Sequence, residues 1–154
     1  VTIDWLRTRE IPELQAFIDA HWRKGHILAR DAALLRWQHP RDDETLSILV
    51  ARGDGEIQGM LGMIPVDVNL RGQKRPGIWL ALWVARPGTN AGLPLVQQAL
   101  QLPAAFLGVL GVNETAMQIY RALKFTTVDD VPRMVRMIDP QAIERLGCRP
   151  IEQP

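Results

Sequence analysis

A chain of 154 residues, 47% apolar and 23% charged, has the size and make-up of one ordinary soluble domain with a real core. Its formal net charge of +1 provides no electrostatic basis for gripping nucleic acid or an anionic membrane surface. The single cysteine, Cys148, excludes an intramolecular disulfide and a cysteine-built metal site.

Along the chain, Thr2 to Arg7 is a candidate first strand. Glu10-Ile11-Pro12-Glu13 opens a helix, with proline and acids in the first turn and Leu14, Phe17 and Ile18 at helical spacing; Gly25 breaks it. Asp31 is a candidate N-cap for a second helix carrying Leu34, Leu35 and Trp37, which His39-Pro40 ends. The pattern then turns to strands. Leu46 to Arg52 and Glu56 to Leu70 flank the hairpin signal Gly53-Asp54-Gly55, and Gly59 and Gly62 mark bulges or close backbone approach. After a turn at Arg71 to Gly77, the almost wholly apolar run Ile78 to Ala85 predicts a central strand buried on both faces. A loop follows at Pro87 to Gly92, then a helix over Leu93 to Leu102, a strand over Ala104 to Val112, and a helix from Asn113 to about Leu123. Thr126 to Asp130 and Arg133 to Ile138 predict a closing hairpin, and Pro140 to Leu146 a last short helix. Three antiparallel strands followed by a strand-helix-strand crossover give a mixed sheet with helices on both faces.

Two segments carry chemistry. In Phe106 to Phe125 a strand runs into Asn113, which caps a helix; Ala116, Ile119, Tyr120 and Leu123 share one helical face, and Phe125 starts the next strand. In Trp79 to Leu95 a strand passes through a glycine-containing loop into a helix whose first N–H groups suit a pyrophosphate. Each has a plain structural counterpart. Asn113 is an N-cap worth about 1 kcal/mol, Tyr120 is an amphipathic core residue, and Arg86 to Gly92 is a strand-helix turn. Trp79 and Trp83, four apart on one strand, are expected on one face, as core or as the wall of an acceptor pocket.

The first segment resembles the second CoA-binding motif of the GNAT acyltransferases, in which a strand, Asn, Ala, Tyr and a Gly-Phe pair recur in that order. Asn113, Ala116, Tyr120 and Phe125 match, and Lys124 stands where the family usually has Gly. The second resembles the first motif, a loop of the form Arg/Gln-x-x-Gly-x-Gly/Ala. Arg86 is present, Ala91 falls at the Gly/Ala place and Gly92 follows it, while Thr89 stands at the first Gly. The resemblance implies an α/β (α+β) fold with a mixed, mostly antiparallel sheet of about six to seven strands and helices on both faces. It implies acetyl-CoA or another acyl-CoA as co-substrate, held by Leu82, Trp83, Val84, Arg86, Gly88, Thr89, Asn90, Ala91, Gly92, Asn113 and Ala116. Backbone N–H groups near Leu82 to Val84 would stabilise the oxyanion, and Tyr120 would protonate the departing thiolate. The expected acceptor is a primary amine of a small molecule.

The run Ile78 to Ala85 has no ionisable residue to act as general base. Asp67, His26 and Glu114 are candidates elsewhere, with Asp67 expected at the surface. His21, His26 and His39 lie by the N-terminal helices without metal-ligand spacing, and no metal is expected. Residues 1–146 are read as the acyltransferase domain and 147–154 as a tail or linker; a homodimer or attachment to a further domain is open. Val1 to Trp5 lacks the basic-then-apolar order of a secretory signal, and Ile78 to Ala85 is too short to span a bilayer, so cytoplasm is the expected compartment. The alternative function is a GNAT-fold binding or accessory domain with weak or no catalysis.

Overall fold

The computed structural model describes residues 1–128 and 131. Two compact units are distinguished, one spanning Val1–Val112 and a second opening at Asn113. In the first, strand β1 (Thr2–Arg7) leads through a single 3-10 turn into α1 (Ile11–His21). Pro12 sits in its first turn, and Ile11, Leu14, Phe17 and Ile18 form its buried stripe. Asp31 caps α2 (Ala32–Gln38), its carboxylate accepting the Leu34 N–H at 2.8 Å. Pro40 disfavours helical backbone at His39, and α2 stops there.

β2 (Thr45–Gly53), β3 (Glu56–Leu70) and β4 (Gln73–Ala85) follow as a meander. Asp54 and Gly55 both have positive φ, 54° and 81°, the geometry of a two-residue turn whose twist matches its strands. Arg71 (52°) and Gly72 (79°) repeat it. The predicted seven-residue turn from Arg71 to Gly77 therefore shrinks to two residues, and Gln73 to Gly77 pair with Val66 to Leu70. Strand order is β1-β2-β3-β4-β5, with β5 (Phe106–Val109) parallel to β4 and every other pair antiparallel.

The result is a mixed, mostly antiparallel sheet, with five strands among the described residues against the expected six to seven. β5 is shorter than the Ala104 to Val112 strand expected. Of the predicted closing hairpin, Thr126 to Val128 are described and have no regular structure. Its remaining part, apart from Val131, and the Pro140 to Leu146 helix lie outside the described residues.

Side-chain alternation divides the sheet into two faces. Leu46, Ile48, Val50, Met60 and Val84 form one core with α1, α2 and Leu28. On the other face lie Leu49, Ala51, Gly59 and Leu61, covered by α3 (Gly92–Ala99) through Leu95, Val96 and Ala99. Gly59 is the close approach its position suggested. A Cβ there would stand 3.0 Å from the Ala91 Cβ and 3.1 Å from Leu95 Cδ1, so only glycine lets α3 sit this low on β3. β4 is less buried than its composition predicts. Gly77, Leu80 and Val84 are buried, and the rest of Ile78 to Ala85 is half-buried.

Candidate functional site

β4 changes character at one point. Its ladder to β5 ends at Leu80↔Val109. Its ladder to β3 runs Trp83↔Leu61 and then Leu80↔Met63, so Ala81 and Leu82 together oppose the single residue Gly62. This is a β-bulge just beyond the point where the β5 ladder ends among the described residues. Beyond the bulge the Arg86 N–H donates to Gln58 C=O at 2.7 Å, directing Arg86 and, by alternation, Val84 toward β3. The backbone groups of Trp83 and Ala85 then point away from β3.

The bulge also corrects the expectation that Trp79 and Trp83 share a face. Trp79 pairs with Ile64 and lies edge-on to Phe106 at 5.1 Å, on the face of α1 and α2. Trp83 pairs with Leu61 on the α3 face, and its Nε1–H donates to Gly92 C=O at 3.2 Å. An extra residue between them reverses the alternation, so they do not wall one pocket together. Trp83 instead ties the strand to the loop that follows.

That loop runs from Arg86 to Gly92. The Thr89 N–H donates to Arg86 C=O at 3.2 Å, Pro87 occupies the second position and Gly88 has φ 78°, the geometry of a type II turn. The Thr89 hydroxyl also donates to Arg86 C=O, at 2.7 Å. Arg86 reaches Glu56 at 3.1 Å on the surface. Asn90 is exposed and Ala91 fully buried. Ala91 is the N-cap of α3 and has no side-chain acceptor for the first-turn amides, so no side chain caps this helix start. A pyrophosphate therefore fits the second half of the loop, Asn90 to Gly92, better than the first, where Pro87 has no N–H and that of Thr89 is engaged.

The second unit holds the remaining candidates. Asn113 caps α4 (Glu114–Ala122), its side-chain oxygen accepting the Ala116 N–H at 2.9 Å. Tyr120, 2% exposed, stacks edge-on with Phe125 at 4.9 Å, and burial pushes its phenol up to about 12. The Phe125 N–H donates to Tyr120 C=O and the Lys124 N–H to Arg121 C=O, a Schellman ending with its apolar contact. Lys124 holds φ 67° at the position such an ending reserves for glycine, which explains the Gly usual there in the resembling motif.

The other ionisable candidates lie elsewhere. Asp67 is exposed and pairs with Lys74 at 2.8 Å. His26 caps a 3-10 turn, its Nδ1 accepting the Leu28 N–H, and its ring meets Trp22. Glu114 is exposed in the first turn of α4. Among the described residues no group of three or more His, Cys, Asp or Glu side chains is placed to hold a metal ion. Nor is any described helix long and apolar enough to cross a membrane. The sequence offered no sign of the bulge, since Ala81 and Leu82 read like their neighbours. The turn at Pro87-Gly88 was signalled by its dipeptide.

An antiparallel meander, a bulged fourth strand, a short parallel fifth strand beside it and a helix after the loop at the bulged strand's end make the GNAT N-acetyltransferase fold, and the chain has that fold. Among solved structures it is similar to a putative acetyltransferase from Agrobacterium tumefaciens str. C58, at TM-score 0.66 and 14% identity over 89% of this chain and 100% of that one. It is similar to ribosomal-protein-alanine N-acetyltransferase from Brucella melitensis biovar Abortus 2308, at 0.63 and 17% over 89% and 100%. A third is aminoglycoside antibiotic 6'-N-acetyltransferase from Acinetobacter haemolyticus, at 0.64 and 15% over 90% and 100%. No protein-family model matches the chain, and no curated protein matches it in sequence.

Proposed function

We propose that this protein is an N-acyltransferase that moves an acetyl or other acyl group from acyl-CoA to a primary amine of a small molecule. The observation that carries the reading is the coincidence, at Leu80 to Leu82, of the β4 bulge with the end of the β5 ladder. A strand that runs past the end of the described β5 ladder into a helix start with no side-chain cap suits an extended ligand with an anion at one end. When bound, the thioester supplies an acyl carbon activated toward amines.

In this reading the chain's own groups orient and stabilise. The backbone of Trp83 and Ala85 aligns the pantetheine arm and polarises the acyl oxygen. Asn90 to Gly92 hold the pyrophosphate, with Arg86, Gly88 and Thr89 shaping the turn before them. Asn113 and Ala116 are assigned to the pantetheine as well. Tyr120, kept protonated by its burial, donates to the thiolate. Holding amine and thioester together contributes several kcal/mol by proximity alone, up to about 7–11 in well-oriented systems. Residues 1–146 act as one domain, with 147–154 as its tail. The small-molecule acceptor follows the aminoglycoside enzyme among the similar structures; the ribosomal-protein enzyme, acting on a protein amine, is the contrasting precedent.

A second reading, a GNAT-fold binding or accessory domain, is favoured by one observation. The first half of the loop is closed by its own type II turn, and Arg86 is engaged with Glu56. Calorimetric titration with acetyl-CoA separates the two. The enzyme reading expects saturable binding that Thr89→Trp abolishes; no binding at millimolar ligand sinks it. Tyr120→Phe is expected to cut turnover with little change in acetyl-CoA affinity, and an unchanged rate removes Tyr120 from the mechanism.

A further inference from the structure

His39 lies just past α2, where β2 and β3 part company. Its backbone C=O accepts the Ser47 N–H at 3.0 Å, and its Nδ1–H donates to Met63 C=O at 2.8 Å. The second bond fixes the tautomer, with the proton on Nδ1 and a lone pair on Nε2. The residue is fully buried, and Nε2 has no hydrogen-bond partner among the described residues. Buried polar atoms are almost always partnered, so an orphan here calls for a reason.

Gly62 supplies a location. A Cβ on Gly62 would stand 2.9 Å from His39 Cε1 and 3.3 Å from Nε2, so the imidazole occupies the space a side chain at 62 would take. Gly62 is the β3 residue that faces the bulge of Ala81 and Leu82. The ring therefore stands over β3, beside the strand that carries the bulge, on the sheet face where Leu82 and Val84 meet the core. The groups that meet the ring in these contacts, Gly62 and the Met63 C=O on β3, carry no charge, and the Ser47 N–H on β2 bonds the His39 C=O. On α2, Arg36 is exposed and the Asp31 carboxylate is engaged in capping.

We propose that His39 Nε2 accepts, through one bridging water, the proton that the acceptor amine loses during acyl transfer; this rests on the acyltransferase reading above. The amine lone pair forms the C–N bond as the C–S bond breaks and its electron pair leaves on sulfur. The ammonium proton passes through the water to Nε2, giving the imidazolium. The thiolate takes its proton from Tyr120, and imidazolium and tyrosinate return to neutrality through solvent, so protons balance over the cycle.

His39→Asn tests this, because the asparagine amide nitrogen can take the place of Nδ1 and keep the bond to Met63 while nothing replaces Nε2. The expected result is a fall in kcat of about 10²–10⁴-fold, with KM for acetyl-CoA and the melting temperature nearly unchanged. In the wild type kcat falls as pH falls, because protonating Nε2 removes the acceptor. Burial holds this imidazole below the ordinary histidine range, so that limb lies below about pH 6.5 and disappears in the variant. Imidazole ¹⁵N spectra of the wild type are expected to show an unprotonated Nε2 whose acid transition coincides with the limb. A variant within about threefold of wild-type kcat with the limb intact overturns the proposal. Should the variant not fold, wild-type ¹⁵N and kcat transitions at different pH values overturn it equally. Failure of acetyl-CoA to bind the wild type removes the acyltransferase reading and this one with it; normal turnover by His39→Asn removes this one alone.

Discussion

Two helix starts in this protein are built in opposite ways. α4 begins at Asn113, whose side chain accepts the Ala116 N–H and closes the first turn from within. α3 begins at Ala91, which has nothing to accept with and is buried against β3. Both helices follow a strand of the same sheet, so topology does not separate them. One helix closes a first-turn amide with its own side chain, and the other has no side-chain cap, which is why the proposed pyrophosphate position lies at α3 and not at α4.

The comparison can be broken most severely at Gly59. Gly59→Val places a side chain where Ala91 and Leu95 already stand, and is expected to cost about 1–3 kcal/mol of stability and to weaken acetyl-CoA binding by displacing the α3 start. Urea unfolding and calorimetry read the two effects; unchanged values in both would mean α3 docks elsewhere. Gly92→Asp sharpens it. A carboxylate in the first turn of α3 suits the helix but repels a pyrophosphate, so the acetyl-CoA Kd is expected to rise about tenfold, or about 1.4 kcal/mol, without loss of melting temperature. On the capped side, Asn113→Ala is expected to cost about 1 kcal/mol, measured by urea unfolding, because the cap of α4 is internal. At the other end of α4, Lys124→Gly relieves a left-handed lysine and is expected to stabilise by up to about 1 kcal/mol. A loss of stability there would show that the lysine side chain contributes more than its backbone strain costs.

Much of this was readable before the fold was known. Asp31 and Asn113 cap because short polar side chains reach back to a first-turn N–H, a local act. Asp54-Gly55 turns because two adjacent positive φ values suit those residues. Arg71 hid the second hairpin, since nothing marks an arginine as left-handed. Trp79 and Trp83 misled because alternation counts residues, and one extra residue at the bulge reverses the count. His39 and Gly62 each stood out singly, but 22 intervening residues and two strand pairings had to close before the ring met the glycine.

Local grammar is written into the chain: element order, caps, the Pro87-Gly88 turn, and the Asn113 to Phe125 pattern whose lone tyrosine is the proposed acid. These depend on interactions spanning a few residues, which the chain encodes directly. Folding in three dimensions sets where the β4–β5 ladder ends, that Ala81 and Leu82 oppose Gly62, and that the buried His39 ring packs against that glycine. Those features arise from register between strands, and register is set by the packing of two faces at once rather than by any one segment.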